Sequence, residues 1–264
     1  MSAYIFIIKM NLLTSLSYSF DVFSSFITSF IIMVAGVFVW KAAYVGIPSS
    51  VEGVNESQMV TYIIISFFLS SIFVCNVDNS INYKIRKGDI VSDFIRPLNP
   101  FFCWLMEDIG EAFNATILRF VPLLLVSAPI FRFSLPGSIE AAMLFVPSCI
   151  LSYSILWLIS AITGLLAFWI IELGNMRIVK NIIITILSGS MVPLWFFPKN
   201  IQDLSRFLPF QYTYQTPLGI YIGKITIRDA IPSILLQMTW VIILSGLTFI
   251  MWKRAKRKLL VQGG

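Results

Sequence analysis

Six apolar segments, each close to the length that crosses a bilayer, constrain this chain more than any other feature. They run over roughly 22–43, 59–79, 110–131, 146–171, 179–196 and 230–252. A helix of about 20 apolar residues spans the hydrocarbon core. Within lipid it also satisfies its own backbone groups, which an open strand or loop cannot do. Of the 264 residues, 58% are hydrophobic and 12% charged, about half the charge of an ordinary soluble domain. That much apolar surface has no place in one water-soluble core. The expected fold is an all-α polytopic membrane protein, a single transmembrane domain over 1–264 with a basic tail at 253–264.

The segment before the first span, "MSAYIFIIKMNLLTSLSYSF", carries Lys9, Asn11 and Thr14 among apolar residues at helical spacing. Over 1–21 it predicts an amphipathic helix lying in the membrane interface. No small-residue cleavage site follows a short apolar core, so a signal peptide is not expected. Between the fifth and sixth spans, Pro193 to Thr226 is aromatic and broken by prolines. Short re-entrant or interfacial helices are expected there, with Trp195, Phe197, Tyr212 and Tyr214 at headgroup depth.

Orientation follows from Lys and Arg. With the N-terminus inside, twelve basic residues fall on cytoplasmic pieces and six on outer ones, Arg119 lying within a span. This bias predicts both termini cytoplasmic. The "KRAKRK" tail reads as a topology anchor that touches anionic lipid.

Several chemistries are poorly supported. The chain has no histidine, the commonest general base and metal ligand. Cys75, Cys103 and Cys149 lie far apart without metal-ligand spacing, and they read as buried fillers. No basic face suggests nucleic acid, and no metal site is expected. "GIYIGKIT", Gly219 to Thr226, resembles a phosphate loop only superficially. Its first glycine is one residue too close, and Ile225 stands where Ser or Thr should hold magnesium.

Charge gathers instead in "KIRKGDIVSDFIRPLNP", Lys84 to Pro100. Asp89 suits a helix N-cap. Val91, Phe94, Ile95 and Leu98 repeat at helical spacing, Asp93 complements the dipole of a first turn, and Pro97 limits the helix. A short amphipathic helix on the cytoplasmic face is predicted. Its plain role is to rest on lipid headgroups, with Lys84, Arg86 and Lys87 on phosphates; its functional role is to dock a partner.

Two stretches carry a family resemblance. "RKGDIVSDFIRPLNP" is similar to an R-x-G-x-hydrophobic…R-P-hydrophobic-x-P pattern, and "MVPLWFFPKNIQDLSRFLPFQYTYQTPLGIYIGKI" to a P-x-x-FP…LPF…P…Y-x-G pattern. Both belong to the membrane subunits of ABC type-2 exporters, which the chain resembles over essentially its whole length. One departure is Ser19, where an arginine is expected after Tyr18.

The resemblance implies a permease without its own nucleotide site. It would work with a second permease, identical or paralogous, and with a dimer of cytosolic ATP-binding cassette ATPases. This chain would bind no cofactor, and ATP and magnesium would sit on the ATPases. Lys84, Arg86, Lys87, Gly88, Asp89, Phe94, Arg96 and Pro97 would lie in or beside the helix that couples to them. "IELGNMRIVK", after the fourth span, would be a smaller second contact. The setting implied is a bacterial plasma membrane. The substrate expected for so apolar an interior is amphipathic: a lipid, a peptide or a hydrophobic drug.

Other residues stand out. Glu107, Asp108 and Glu111 cluster where the third span starts, and are expected to serve as solvated helix-end charges. Arg119, two to three turns deeper, must snorkel, pair or face a wet cavity. Trp195, Phe196, Phe197, Phe207 and Phe210 read first as an interfacial belt and second as an outer gate. Ser160 and Gly164, and Ser188 to Ser190, would let helices of one subunit approach closely. Two rival functions remain. One is a membrane immunity or scaffold protein that does not pump. The other is an intramembrane lipid-modifying enzyme, for which the missing base and acidic pairs count against.

Overall fold

The structure is a computed structural model and describes residues 19–46, 50–95, 98–131, 133–170 and 173–262. The expected interfacial helix therefore lies almost wholly outside the described residues. What is described is helical, with no strand among the described residues beyond an isolated bridge between Val51 and Val54.

Helix α1 (Ser19–Tyr44) is apolar on all sides. Helix α2 (Glu56–Ile72) starts at a capping box, in which Asn55 and Gln58 satisfy each other's backbone amides. It stops near Phe73, and α3 (Val77–Lys87) and α4 (Ile90–Ile95) follow. Helix α5 (Pro100–Ala115) opens on Pro100 at its first turn with Asn99 as cap. It continues through a π-helical turn (Thr116–Phe120) into α6 (Val121–Phe131). Helix α7 (Ile139–Leu165) is capped by Ser138. The remainder is α8 (Met176–Leu187), α9 (Lys199–Arg206), α10 (Gln215–Tyr221) and the long α11 (Ile227–Gln262).

Among the described residues five helical stretches are long and apolar enough to cross a membrane: Val22–Tyr44, Glu56–Lys87, Pro100–Phe131, Ile139–Phe168 and Ile227–Lys258. The fifth expected span, 179–196, is where sequence and structure part. Helix α8 has 12 residues, so it rises only about 18 Å, well short of the ~30 Å core.

Its end is built by side chains. Gly189 is left-handed, with φ of 78°. The Tyr62 hydroxyl donates to Gly189 O at 2.6 Å, the Ser66 hydroxyl to Ser190 O at 2.6 Å, and the Gln215 amide to Ser188 O at 2.9 Å. These bonds satisfy the carbonyls that a longer helix would have bonded itself, so the chain can turn back after Gly189. Gln215 Oε1 accepts from Leu194 N at 3.1 Å and ties the returning chain to the same knot.

Two buried clusters hold the bundle. One surrounds α2, where Met59, Tyr62, Ile63, Ile64 and Phe68 meet Met33 and Val37 of α1 and Tyr214, Leu218 and Tyr221 of the re-entrant stretch. The other joins α3, α5, α7 and α11 through Ile81, Trp104, Ile155, Trp157, Ala161 and Trp252. Trp104 and Trp252 meet edge to face at 5.3 Å, as do Phe101 and Trp157 at 4.9 Å. Deep between α7 and α11, the buried Gln237 amide nitrogen lies within hydrogen-bond distance of Tyr212 O, Ser152 Oγ and Ser148 O. A lone amide in an apolar span was a signal the sequence offered, and it anchors the re-entrant chain. Large apolar side chains of α1 and α11, such as Phe23, Phe38 and Ile242, point outward.

Candidate functional site

The charged stretch forms the surface of one end of the bundle. Helix α3 runs to Lys87 and stops because Gly88 is left-handed, with φ of 78°, its amide bonded to Ile85 O. Lys84, Arg86 and Lys87 fall in that last turn, where cations complement the helix dipole. The short helix expected from Asp89 onward is present as α4. Asp89 precedes it, and its carbonyl accepts from both the amide and the hydroxyl of Ser92.

The structure divides the expected coupling residues into two groups. Arg86, Lys87, Gly88 and Asp89 are exposed, with Val91 and Ser92 beside them. Lys87 lies over the Tyr83 ring at 4.6 Å. Lys84 turns inward instead of resting on headgroups. Its ammonium is 2.9 Å from Asp93 and 3.7 Å from Glu107. Asp93, read as a dipole-complementing charge, is buried and also accepts from the Trp104 indole at 3.0 Å. With Ile90 sunk into the Trp104 cluster, α4 is fixed to α3 and α5 at three points. Arg96, Pro97 and the side chain of Phe94 lie outside the described residues.

The acidic cluster is a second brace. Asp108 is buried, and its two oxygens accept the Asn76 and Val77 amides at 3.2 and 3.1 Å. A carboxylate does sit at a helix N-terminus, as the dipole argument expects. That helix, however, is α3, across from α5. Glu111 accepts from the Asn76 side chain at 2.6 Å. Helix α5 begins at Pro100, ten residues before the expected start of the third span, and carries these acids to the helix break at 73–76.

A third brace ties α3 to α7 and α8. Asp78 is wholly buried. Lys180 is 2.7 Å from Asp78 and donates to Ser160 Oγ at 3.0 Å, while Arg177 Nε is 3.7 Å from the same carboxylate. Arg177 and Lys180 come from the loop read as a smaller second contact; here they neutralise Asp78. Gly164 makes this possible, because a Cβ there would stand 2.9 Å from the Asp78 Cα. The small residues Ser160 and Gly164 do serve close packing within one subunit.

At the opposite end the aromatic residues do not form one cluster. Trp195 packs edge-on against Tyr62 at 5.3 Å, Phe196 meets Trp40 at 5.0 Å, and the Lys224 ammonium stands over the Trp195 ring at 5.7 Å. Phe197 and Phe210 are half-buried, and Phe207 is exposed. Tyr212 and Tyr214, expected at headgroup depth, are buried in the core. Arg119 is half-buried in the π-helical turn, with no ion-pair partner among the described residues. The "GIYIGKIT" stretch begins as the end of helix α10, and Ile225 packs on Gly219 where a phosphate loop would be open. No metal-binding cluster occurs among the described residues.

A family model described as ABC-2 family transporter protein matches residues 30–263. No curated protein matches the chain.

Proposed function

Because the chain belongs to the ABC-2 transporter family, a family of multi-pass transport permeases, we propose that it is half of an ATP-driven exporter. It pairs with a second permease, identical or paralogous, and moves an amphipathic substrate outward. A separate pair of cytosolic ATPases supplies the energy. Both termini face the cytoplasm of a bacterial plasma membrane. The observation that carries this reading is the construction of the charged end. Its apex, Arg86 to Asp89 with Val91 and Ser92, is exposed, while Lys84, Ile90 and Asp93 fasten the same loop to the membrane helices. A push on the apex therefore reaches α3, α5 and, through Asp78, α7 and α8.

Arg119 and the Trp195–Phe196 pair, which borders the returning chain, are the proposed path and outer-gate residues. In this reading ATP and magnesium sit on the partner ATPases.

Two measurements test this. Cysteines introduced at Gln202 should react with an impermeant thiol reagent in intact cells, and cysteines at Lys87 only after permeabilisation. Labelling at position 87 from outside reverses the orientation and removes the coupling role. Protein purified in mild detergent should carry two permease chains and an ATPase whose turnover it alters. A single permease chain that transports alone in vesicles defeats the reading.

A further inference from the structure

An apolar groove of about 680 Å³ opens at the charged end, between the start of α5 and the last turns of α11. Phe101, Phe102, Leu158, Phe249 and Trp252 form its walls, and Gly246 lies along its floor. Lys253 and Lys256 are its charged lining residues, and no carboxylate lines it. The volume falls within the usual range for sites that hold a small amphiphile.

The lysines are placed unusually for a membrane anchor. A lysine at a helix end ordinarily snorkels away from the apolar region. Here each leans back toward the N-terminus of its helix, as helical side chains do. The Lys253 ammonium stands over the Phe249 ring at 5.4 Å and that of Lys256 over the Trp252 ring at 5.0 Å. Neither has an acidic partner among the described residues. Two cations thus line an otherwise apolar slot.

We propose that this groove is a specific site for an anionic phospholipid, with one acyl chain against Phe102, Leu158 and Phe249 and the phosphate on Lys253 and Lys256. A zwitterionic lipid brings its own ammonium to the same place and is disfavoured. The leaflet, cytoplasmic, rests on the orientation proposed above; binding itself does not, so the two can fail separately.

Gly246 supplies the test. It is helical, and a Cβ there meets nothing within 4 Å, so a larger side chain fills the slot without strain and improves helix propensity. The full-length protein is stripped of lipid and offered equal phosphatidylglycerol and phosphatidylcholine of matched chains. Retained lipid is then read by native mass spectrometry. Wild type should keep one phosphatidylglycerol per permease chain, preferred by about tenfold or more. Lys253→Gln with Lys256→Gln should bring that preference to near equality. Gly246→Trp should abolish retention while elution volume and thermal unfolding stay unchanged. Equal retention by wild type and Gly246→Trp, or no headgroup preference in wild type, overturns the proposal. So does a loss of the second permease chain in Gly246→Trp, which would make the groove a subunit interface.

Discussion

Asp78→Asn is expected to lower stability by about 3–5 kcal/mol, the usual cost of leaving one partner of a buried ion pair uncompensated. Its carboxylate is wholly buried, and the Lys180 ammonium that meets it at 2.7 Å keeps only 10% of its side-chain surface exposed. Arg177 is 41% exposed and can turn to water when Asp78 loses its charge; Lys180 cannot. Nor can α3 draw away to admit solvent without breaking its contact with Gly164. The measurement is thermal or denaturant unfolding of purified protein in one detergent. Lys180→Met alone should cost a similar amount by stranding Asp78, and the double variant should recover more than half of either loss, because both charges are then gone. An Asp78→Asn protein as stable as wild type would show that the pair holds nothing together.

That pair also illustrates what hydropathy reveals and what it hides. The long apolar helices, the position of the short loop helix and the close packing at Ser160 and Gly164 are legible, because each depends on side-chain character at regular spacing. The half-length α8 is not. Residues 179–196 are apolar enough to span, and what stops them is a set of backbone acceptors claimed by Tyr62 and Ser66 from more than a hundred residues away. The acids were misread for the same reason. Glu107, Asp108 and Glu111 look like solvated helix-end charges, and Asp93 like a dipole-complementing one, until the fold brings Lys84, Trp104, the Asn76 side chain and the Asn76–Val77 amides to them. Gln237 carried a usable signal, a single amide in an apolar span, since such a group must find partners or be costly. The likeness of the charged loop to a coupling helix drew attention to Lys84 to Pro100. It could not separate the residues that face outward from those that brace the loop.

Separating them gives the second large effect. Val91→Asp should weaken association with the ATPase about tenfold or more, roughly 1.4 kcal/mol, by placing a charge where an apolar contact forms. Val91 is 47% exposed at the apex while its neighbour Ile90 is buried, so the substitution leaves the core untouched. Arg86→Glu with Lys87→Glu should also release the ATPase, and that loss should shrink at high salt because both side chains are solvated. Phe94→Ala, on the same short helix, is expected to act like Val91→Asp. All these variants should insert, fold and unfold like wild type. Lys84→Met should behave differently. It removes the ammonium that meets the buried Asp93 at 2.9 Å and Glu107 at 3.7 Å, so stability and ATPase association should fall together. The readouts are co-purified ATPase, ATP turnover in proteoliposomes and the unfolding midpoint, taken on the same preparations. If the apex variants hold and stimulate the ATPase as wild type does, the apex only meets lipid headgroups and the coupling assignment falls, while the brace at Lys84 and Asp93 stands as a feature of the fold alone.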